Sequence, residues 1–316
     1  MFERVTETET PISFSDLVLE VLQKSKLPLT LSDIAESLPI PVTEDDIRIA
    51  ISSLSERGYD IKEITRGDEE LYVLVRFFDL SEDEVYRVHG NIETPLLLTS
   101  DWHFGSVNFQ KKALLELKTD VIDYDIQSVM IAGDLIQGRN VFRTELQELA
   151  IPSITKQVTG VTSILRDFPC DIHLISGNHE EKVKGSVMIG YDPLKTVASS
   201  LDNCTYYGHV AMLRLDDDYK YMMVHGGGSL TQATTHMVEK IWRELKEKPN
   251  ILHVGHLHQE ALVVKDRGKT CIMSGTLQRT SAWLLSKGWN AKICWVIIYD
   301  ITDDYAHVVF RTPKVL

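Results

Sequence analysis

Five short apolar runs of this chain each end in an Asp, an Asn or a His. Runs of this length predict buried strands, and the ligands of open α/β sheets bind beyond the carboxyl ends of the strands. The five runs, with the polar residues that follow them, are 95–99 with Asp101 and His103, 128–133 with Asp134, 171–177 with Asn178 and His179, 221–224 with His225, and 250–255 with His256 and His258. The pattern restricts the chain to folds that gather several strand ends at one edge.

The region after residue 95 alternates strands with helices, as βαβ units do. Apolar periodicity predicts helices at 107–123, 144–167, 192–201 and 231–247. It predicts strands at 95–99, 127–132, 171–176, 205–215, 219–225, 250–254, 261–265, 270–274, 293–300 and 305–311. Because the second half is rich in strands, we expect an α/β domain in which a second sheet packs on the first.

The first 90 residues differ in composition from the rest of the chain. They hold 20 acidic and 9 basic residues, whereas residues 91–316 hold 26 and 24, within a formal net charge of −13. Three amphipathic helical faces are followed by strand-like runs at 59–64 and 71–75. This order predicts a small winged helix-turn-helix-like domain over residues 1–78, an acidic linker over 79–94 and a larger domain over 95–316.

The third helix of the winged-helix region is where a DNA-recognition helix would lie, but its charges disagree with that role. Its acidic residues are Glu44, Asp45, Asp46 and Glu56, and its basic residues are Arg48 and Arg57. Binding to duplex DNA relies on basic side chains that neutralise phosphates. We therefore favour a winged helix that contacts a protein partner or is structural, and keep nucleic-acid contact as the alternative.

The cysteines and the apolar segments indicate the compartment. Four cysteines lie far apart and form no C-x-x-C pair, namely Cys170, Cys204, Cys271 and Cys294. Buried free thiols in a reducing compartment fit this usage. The first residues lack an apolar signal core, and nowhere do 18 apolar residues run together. The expectation is a cytoplasmic protein with no membrane partner.

The strand-end residues comprise two Asp, one Asn and up to five His. Carboxylates and imidazoles are natural ligands for borderline divalent metals. Two ions about 3.5–4 Å apart need a bridging carboxylate and separate nitrogen and oxygen ligands, and such a pair clamps a phosphoryl group and activates water. Histidine is the usual proton donor to a leaving oxygen. This inventory predicts a two-metal site suited to phosphoester hydrolysis.

Five motifs, in this order, resemble the five blocks of the calcineurin-like metallophosphoesterases over residues 96–258. They are Asp101-x-His103, Gly133-Asp134, Gly177-Asn178-His179-Glu180, His225-Gly226 and Gly255-His256-x-His258. The resemblance implies a four-layer αββα sandwich that binds two divalent ions, with Mn²⁺ preferred and Fe, Zn, Ni or Mg as alternatives.

The resemblance also implies a role for each matching residue. The ligands of one ion would be Asp101, His103 and His258. The ligands of the other would be Asn178, His225 and His256. Asp134 would bridge both ions as part of the catalytic machinery. Asn178 and His179 would contact the phosphate, and His179 would protonate the leaving group.

Three features bear on the subfamily. In the break-repair nuclease branch a His follows three residues after the bridging Asp, and here Gln137 stands in that place. Arg139 is either a bidentate ligand of a substrate phosphate or a solvated loop residue. Residues 274–280 are similar to a stretch of the small, exonuclease subunit of archaeal D-family DNA polymerase, although the N-terminal region is too short for that subunit's usual oligonucleotide-binding domain.

These observations lead to three hypotheses about function. The first is a metal-dependent phosphodiesterase, a nuclease-type enzyme acting on DNA or RNA in repair or replication. The second is a replication or repair scaffold whose phosphoesterase domain is inactive or secondary. The third is a phosphomonoesterase acting on proteins or small molecules. A homo-oligomer is compatible with each. His173 and His253 lie inside predicted strands and are expected to fill the core or the surface.

Overall fold

The computed structural model describes residues 13–25, 28–56, 61–66, 69–74, 82–139, 141, 145–188, 190–215, 219–227, 235–266, 268–286, 288–302 and 306–314. The chain divides into two compact units, Met1–Asp79 and Leu80–Leu316. In the described part of the chain, none of the helices combines the length and the apolar character needed to cross a membrane.

The first unit contains three helices and a small antiparallel sheet. The helices are α1 (Phe14–Lys24), α2 (Leu31–Ser37) and α3 (Glu44–Glu56), and the strands are β1 (Leu29–Thr30), β2 (Ile61–Arg66) and β3 (Glu69–Leu74), in the sheet order β1-β3-β2. Capping boxes at Ser13 and Thr30 begin α1 and α2, because each side chain accepts a hydrogen bond from the third residue of its helix. Gly67 and Asp68, between β2 and β3, lie outside the described residues, and the winged-helix assignment stays a prediction.

The second unit contains two six-stranded sheets with seven helices among its described residues. The strands are β4 (Val88–Asn91), β5 (Leu96–Thr99), β6 (Ser128–Ala132), β7 (Asp171–Ile175), β8 (Cys204–Tyr206), β9 (Val210–Arg214), β10 (Lys220–Val224), β11 (Ile251–Val254), β12 (Glu260–Asp266), β13 (Lys269–Ser274), β14 (Trp295–Ile301) and β15 (Ala306–Arg311). The helices are α4 (Glu82–Val85), α5 (Lys111–Asp123), α6 (Ile154–Leu165), α7 (Asn178–Lys182), α8 (Pro193–Ala198), α9 (Thr235–Glu244) and α10 (Ala282–Ser286).

Both sheets are mixed, which confirms the predicted α/β class. The first sheet has the order β15-β14-β5-β6-β7-β8, in which β5 to β8 run parallel and β14 runs antiparallel to β5. The second has the order β12-β13-β11-β10-β9-β4, in which β10, β11 and β13 run parallel, β9 runs antiparallel to β10, and β12 runs antiparallel to β13. Each sheet therefore has a parallel centre whose carboxyl ends meet at one edge.

The two sheets pack face to face because successive residues of β5 point to opposite faces. Leu96 and Leu98 lie in one buried cluster with Ile251 of the second sheet. Leu97 lies in another buried cluster, with Leu117 of α5 and other helix residues. On the far side of the second sheet, β10 and β11 pack in the same way against α9. The layers are helix, sheet, sheet and helix.

The predicted strand at 205–215 is wrong as a single element. The structure divides it into β8 in the first sheet and β9 in the second, and Gly208 between them has φ +83°. A glycine adopts that left-handed conformation readily, so the chain turns there and crosses from one sheet to the other. Apolar alternation continues through the turn, which is why the sequence pattern does not show the break.

Two further expectations differ from the structure. The predicted helix at 144–167 is a 3₁₀ turn at Glu145–Glu148 followed by α6, and Pro152 lies between them, where it cannot continue a helix. The segment expected to be a linker, 79–94, contributes α4 and β4. Strand β4 pairs parallel to β9, and Ile92 after it is 3% exposed. Val88 is the single hydrophobic residue of β4, so the composition favoured a linker.

Asp120 of α5 joins this helix to the edge of the first sheet. Its buried carboxylate accepts hydrogen bonds from Trp295 Nε1 at 2.8 Å and from Arg311 Nε and Nη2 at 2.9 Å each. We expect Asp120→Ala to lower the free energy of unfolding by about 3 kcal/mol, because a buried indole N–H and a partly buried guanidinium lose their acceptor. Denaturant unfolding measures the change.

The matched control for this prediction is Asp123→Ala, on the exposed side of the same helix. It should change the free energy of unfolding by less than about 0.5 kcal/mol. If both variants unfold like the wild type, the Asp120 contacts do not stabilise the fold as described.

Candidate metal centre

Five strand ends meet at one place in the second unit. Strands β5, β6 and β7 are parallel neighbours, so Asp101, Asp134 and Asn178 follow them at the same edge of the first sheet. Strands β10 and β11 are parallel neighbours in the second sheet, and His225 and His256 follow them. All seven residues predicted to bind metal are brought together at this edge. They are Asp101, His103, Asp134, Asn178, His225, His256 and His258.

Asp101, His103 and His258 form the first group of potential ligands. The Nε2 atoms of His103 and His258 lie 2.9 Å apart, and Asp101 Oδ1 lies 3.9 Å and 3.4 Å from them respectively. All three residues are at most 8% exposed. The second oxygen of Asp101 accepts a hydrogen bond from the His256 backbone at 2.9 Å, which fixes the carboxylate.

Asp134, Asn178, His225 and His256 form the second group. Asp134 Oδ2 lies 3.3 Å from His225 Nε2, and Asn178 Oδ1 lies 3.2 Å from His225 Nε2 and 2.8 Å from His256 Nδ1. The other ring nitrogen of His225 donates to the Ala132 carbonyl at 2.7 Å. That bond directs Nε2 of His225 into the centre.

Asp134 stands between the two groups. Its Oδ2 lies 3.8 Å from His103 Nε2 and 3.9 Å from His179 Nε2, in addition to its contact with His225. Ligand atoms within 4.8 Å of one another connect Asp134 both to His103 with His179 and to His225 with His256. One buried carboxylate is therefore shared by both sides of the site.

The protonation of Asp101 and His103 fits divalent metals, whereas His225 differs: burial acts to lower its pKa, but Asp134 and Asp101 outweigh burial and raise this pKa to about 10. Burial acts to raise the pKa of Asp101, but His258 and His225 outweigh burial and lower this pKa to about 2. Burial and the neighbouring His179 and His258 lower the pKa of His103 well below its ordinary value. Ionised carboxylates and neutral imidazoles are the forms that bind metal, and this mixture of oxygen and nitrogen suits borderline ions.

The backbone is strained where these ligands lie. Among the described residues, six non-glycine residues have positive φ, and five of them belong to the candidate ligands, namely Asp101, His103, Asp134, His256 and His258. Such conformations are uncommon for residues with a Cβ and concentrate at functional sites. The surrounding hydrogen bonds hold this strain, including His103 N–H to the Asp134 carbonyl at 3.0 Å.

Glycines make the close approach of these loops possible. A Cβ on Gly177 would overlap the carboxylate and backbone of Asp134, and one on Gly133 would lie 2.8 Å from Gly177. A Cβ on Gly255 would lie 2.9 Å from the His225 ring. Because side-chain carbons do not approach so closely, only glycine fits at these three positions.

His179 lies beside Asp134 and is 6% exposed. Its backbone N–H donates to Asp134 Oδ1 at 2.8 Å, and its Nδ1 lies 2.6 Å from the Gln137 carbonyl. A hydrogen bond from Nδ1 to a carbonyl assigns the proton to Nδ1 and turns Nε2 toward Asp134. Gln137, the residue that departs from the nuclease branch, thus contacts His179 through its main chain.

The family follows from this geometry together with the sequence. A family model described as calcineurin-like phosphoesterase matches residues 94–283, more than half of the chain. The chain belongs to the calcineurin-like phosphoesterase family. The family predicted from the five motifs is confirmed, and so is the expectation of divalent metal binding in its general form.

Curated relatives include the DNA polymerase II small subunits of Pyrococcus horikoshii and Methanothermobacter thermautotrophicus. They are 24% identical over 243 residues and 23% identical over 226 residues. The matches cover 62% and 57% of this chain but only 37% and 46% of those relatives, so the chain spans less than half of their length. The predicted similarity to an archaeal polymerase small subunit is confirmed at the level of sequence.

Solved structures also match. Vps29 from Entamoeba histolytica, crystallised with Zn²⁺, is 16% identical with a TM-score of 0.40, and the match covers 69% of this chain and 97% of that one. The E. coli phosphoesterase YfcE is 14% identical with a TM-score of 0.39, and the match covers 70% and 100%.

Glu180 also belongs to this site, although no separate role was predicted for it from the sequence. It is fully buried and accepts three backbone hydrogen bonds, from Asp134 at 3.0 Å, Ile136 at 2.9 Å and Gly177 at 2.8 Å. Burial and the Asp134 charge raise the pKa of Glu180 to about 8, against the opposing effect of the backbone donors. The carboxylate joins two ligand-bearing loops. In the sequence, the one indication of this role was that Glu180 directly follows His179.

Residues 274–280 also contact the centre from behind. Thr276 Oγ1 donates to the Asp101 carbonyl at 2.5 Å, and the Leu277 N–H donates to the same carbonyl at 3.2 Å. This stretch therefore supports the backbone of Asp101. Arg139 is exposed at the end of the loop after β6, and its contact with a substrate phosphate stays a prediction.

The histidines expected to fill the core do so. His253 is fully buried, with Tyr221 Oη 2.7 Å from Nδ1 and Ser274 Oγ 2.8 Å from Nε2. Burial lowers the pKa of His253 to about 3, which keeps the ring neutral. His173 is buried and pairs with Tyr207 Oη at 2.8 Å.

We expect Glu180→Gln to weaken Mn²⁺ binding by about 10- to 100-fold, because changes behind a ligand of a metal site have effects of this size. Both oxygens of the Glu180 side chain accept backbone N–H groups. In the Gln variant the side-chain NH₂ would replace one of these acceptors and face a backbone N–H. Isothermal titration calorimetry measures the affinity.

Glu181→Gln is the matched control for Glu180→Gln. Glu181 lies on the same helix and pairs with Lys184 at 2.9 Å, away from Asp134. It should bind Mn²⁺ as the wild type does. An unchanged affinity in Glu180→Gln would show that Glu180 does not align the ligands.

Proposed function

We propose that this protein is a dinuclear metal-dependent phosphodiesterase. The observation that carries the proposal is the shared Asp134 carboxylate, which lies between two groups of buried nitrogen and oxygen donors with His179 beside it. A pair of divalent ions, when bound, polarises a phosphoryl group and supplies a water nucleophile near neutral pH. The family supports hydrolysis of a phosphoester in general.

Each candidate ligand has an assigned place in this proposal. One ion would be held by Asp101, His103 and His258. The other would be held by Asn178, His225 and His256. Asp134 would be common to both, and Mn²⁺ is the ion that we propose. The intact set of donors argues against a family member whose site has decayed.

His179 is proposed as the proton donor. The contact of its Nδ1 with the Gln137 carbonyl leaves Nε2 on the side of Asp134, at 3.9 Å from Oδ2. As the bond between phosphorus and the leaving oxygen breaks, the bonding electrons stay on that oxygen and His179 gives it a proton. General acid catalysis of this kind accelerates a reaction by about 10²- to 10⁴-fold. Asn178, the neighbouring residue, is proposed to contact the phosphate.

Nucleic acid is the proposed substrate class. The support is the similarity to proteins named as small subunits of a DNA polymerase. Residues 91–316 carry nearly balanced charge, with 26 acidic and 24 basic residues. Contacts with the phosphates of a substrate would therefore be limited to residues at the site. Exposed Arg139 is one residue proposed to provide it, through a bidentate contact.

We expect Mn²⁺-dependent hydrolysis of bis-p-nitrophenyl phosphate that is lost on chelation. Asp134→Asn should lower kcat for this ester by about 100-fold or more, because it removes the shared charge. His179→Ala should lower kcat for diphenyl phosphate by about 100-fold or more, because an unsubstituted phenolate depends on the proton donor. Steady-state kinetics measure the loss. His307→Ala, which replaces an exposed histidine of β15, should retain wild-type kcat.

Two results would contradict this prediction. Equal rates for wild type, Asp134→Asn and His179→Ala would show that the assigned residues do not form the active site. A preference for p-nitrophenyl phosphate over its diester would favour a phosphomonoesterase instead. Labelled single-stranded and duplex DNA and RNA, supplied with Mn²⁺, then identify the polymer that is cleaved.

A second candidate function is that of a subunit in a replication or repair assembly. The relatives are named as subunits, and the first unit has a charge pattern that suits a protein partner. Arg48 of α3 pairs with Glu70 of β3 at 2.7 Å and donates to Tyr72 Oη at 2.8 Å. Of the two basic residues predicted for the recognition helix, Arg48 is thus already paired, and Arg57 lies outside the described residues.

We expect Arg48→Ala to leave the affinity of the full chain for labelled duplex DNA unchanged. The reason is that Arg48 is held by Glu70 and Tyr72. Fluorescence anisotropy at several salt concentrations is the measurement. If Arg48 contacts a phosphate, the slope of log K against log salt falls by about 1, and the winged helix binds nucleic acid instead of protein.

A further inference from the structure

Gln157 of α6 is a fully buried polar residue outside the candidate metal centre. Its side-chain amide contacts the loop after β6 through both of its polar atoms. Oε1 accepts from the Gly138 N–H at 2.8 Å, and Nε2 donates to the Gly138 carbonyl at 2.9 Å and to the Ile151 carbonyl at 2.6 Å. One side chain therefore pairs with both backbone groups of Gly138.

The packing around this amide is tight. A Cβ on Gly105, which has φ +106°, would lie 2.6 Å from the Gln157 side chain. A Cβ on Gly138, which has φ +74°, would lie 2.9 Å from Val141 Cγ2. These two glycines leave room for the amide and little else. A buried amide in such a place is costly to leave unpaired, which makes its orientation specific.

The contact with Gly138 reaches His179 through a single peptide group. The Gly138 N–H and the Gln137 carbonyl belong to the same planar peptide. Gln157 holds the N–H side of that plane, and the carbonyl on the other side lies 2.6 Å from His179 Nδ1. A rotation of this peptide would turn the carbonyl away from the ring, so Gln157 controls the orientation of the acceptor that His179 uses.

We propose that Gln157 is a positioning residue for the proton donor. It fixes the peptide between Gln137 and Gly138, and this peptide holds His179 with Nδ1 as donor and Nε2 facing the leaving oxygen. The inference rests on the proposed function, because it assigns the same role to His179. It adds a residue that lies in none of the five motifs and whose side chain hydrogen-bonds to the backbone of Gly138 and Ile151.

The proposal has a chemical signature that a purely structural role lacks. A p-nitrophenolate leaves readily without a proton, whereas an unsubstituted phenolate depends more on the proton donor. Poor alignment of His179 should therefore slow diphenyl phosphate far more than bis-p-nitrophenyl phosphate. Misplacement of a catalytic group by about 1 Å costs about 100-fold in rate.

Gln157→Leu tests the proposal, because it keeps the apolar body of the side chain and removes all three hydrogen bonds. We expect kcat for diphenyl phosphate to fall by about 10- to 100-fold and kcat for bis-p-nitrophenyl phosphate to change by less than about threefold. Gln157→Met removes the same three hydrogen bonds with a flexible apolar side chain and serves as the variant if the Leu variant does not fold; it should show the same selective loss. Equal losses on both esters would overturn the proposal.

The matched control is Thr162→Val on the same helix. Thr162 is buried, and its Oγ1 donates to the Val158 carbonyl at 2.8 Å within α6. This variant removes a buried hydrogen bond of the helix without touching the loop after β6. It should leave the ratio of the two rates unchanged. A changed ratio would show that any disturbance of α6 has the effect, and would overturn the assignment to Gln157.

Hydrogen exchange at the Gly138 amide separates this inference from the proposed function. We expect the amide to be protected in the wild type, to exchange at least about tenfold faster in Gln157→Leu, and to stay protected in Thr162→Val. If the wild type hydrolyses neither ester, the proposed function fails and the exchange data still decide whether Gln157 holds the peptide. Unchanged protection in Gln157→Leu would overturn the inference whatever the activity.

Discussion

The carboxylate of Asp134 is the group on which the arrangement of the second unit depends. One oxygen accepts the His179 N–H at 2.8 Å, and the other faces imidazoles that come from both sheets. A carboxylate that is 2% exposed is stable as an anion only when positive or donating groups surround it. The two sheets must therefore meet with their carboxyl ends together, since neither sheet alone carries all the groups that face Asp134.

The backbone around Asp134 combines strained conformations with hydrogen bonds that stabilise them. Positive φ values at Asp101 and Asp134 turn the chain sharply after β5 and β6. The Asp101 N–H donates to the Gly133 carbonyl at 2.9 Å, so the two turns stabilise each other. Glu180 satisfies three further N–H groups around them. Strain at the site is thus balanced by hydrogen bonds that lie one layer behind it.

The sequence was sufficient for the parts of the site that are local. An apolar run followed by Asp or His predicts both a strand and the residue at its end, and all seven candidate ligands lie together in the structure. The roles of Glu180 and Gln157 could not be read in this way, because each contacts a loop that is distant along the chain. The break at Gly208 was hidden for a related reason. Alternating apolar residues indicate buried positions. Such positions continue through the turn at Gly208, where the chain passes from one sheet to the other.

The central claim is that Asp134 is shared by two metal ions. The most direct test is a crystal structure of the Mn²⁺-loaded protein with anomalous scattering data at the manganese edge. We expect two anomalous peaks per chain, one beside His103 and His258 and one beside His225 and His256, with the Asp134 carboxylate contacting both. A single peak, or two peaks of which Asp134 contacts only one, would contradict it.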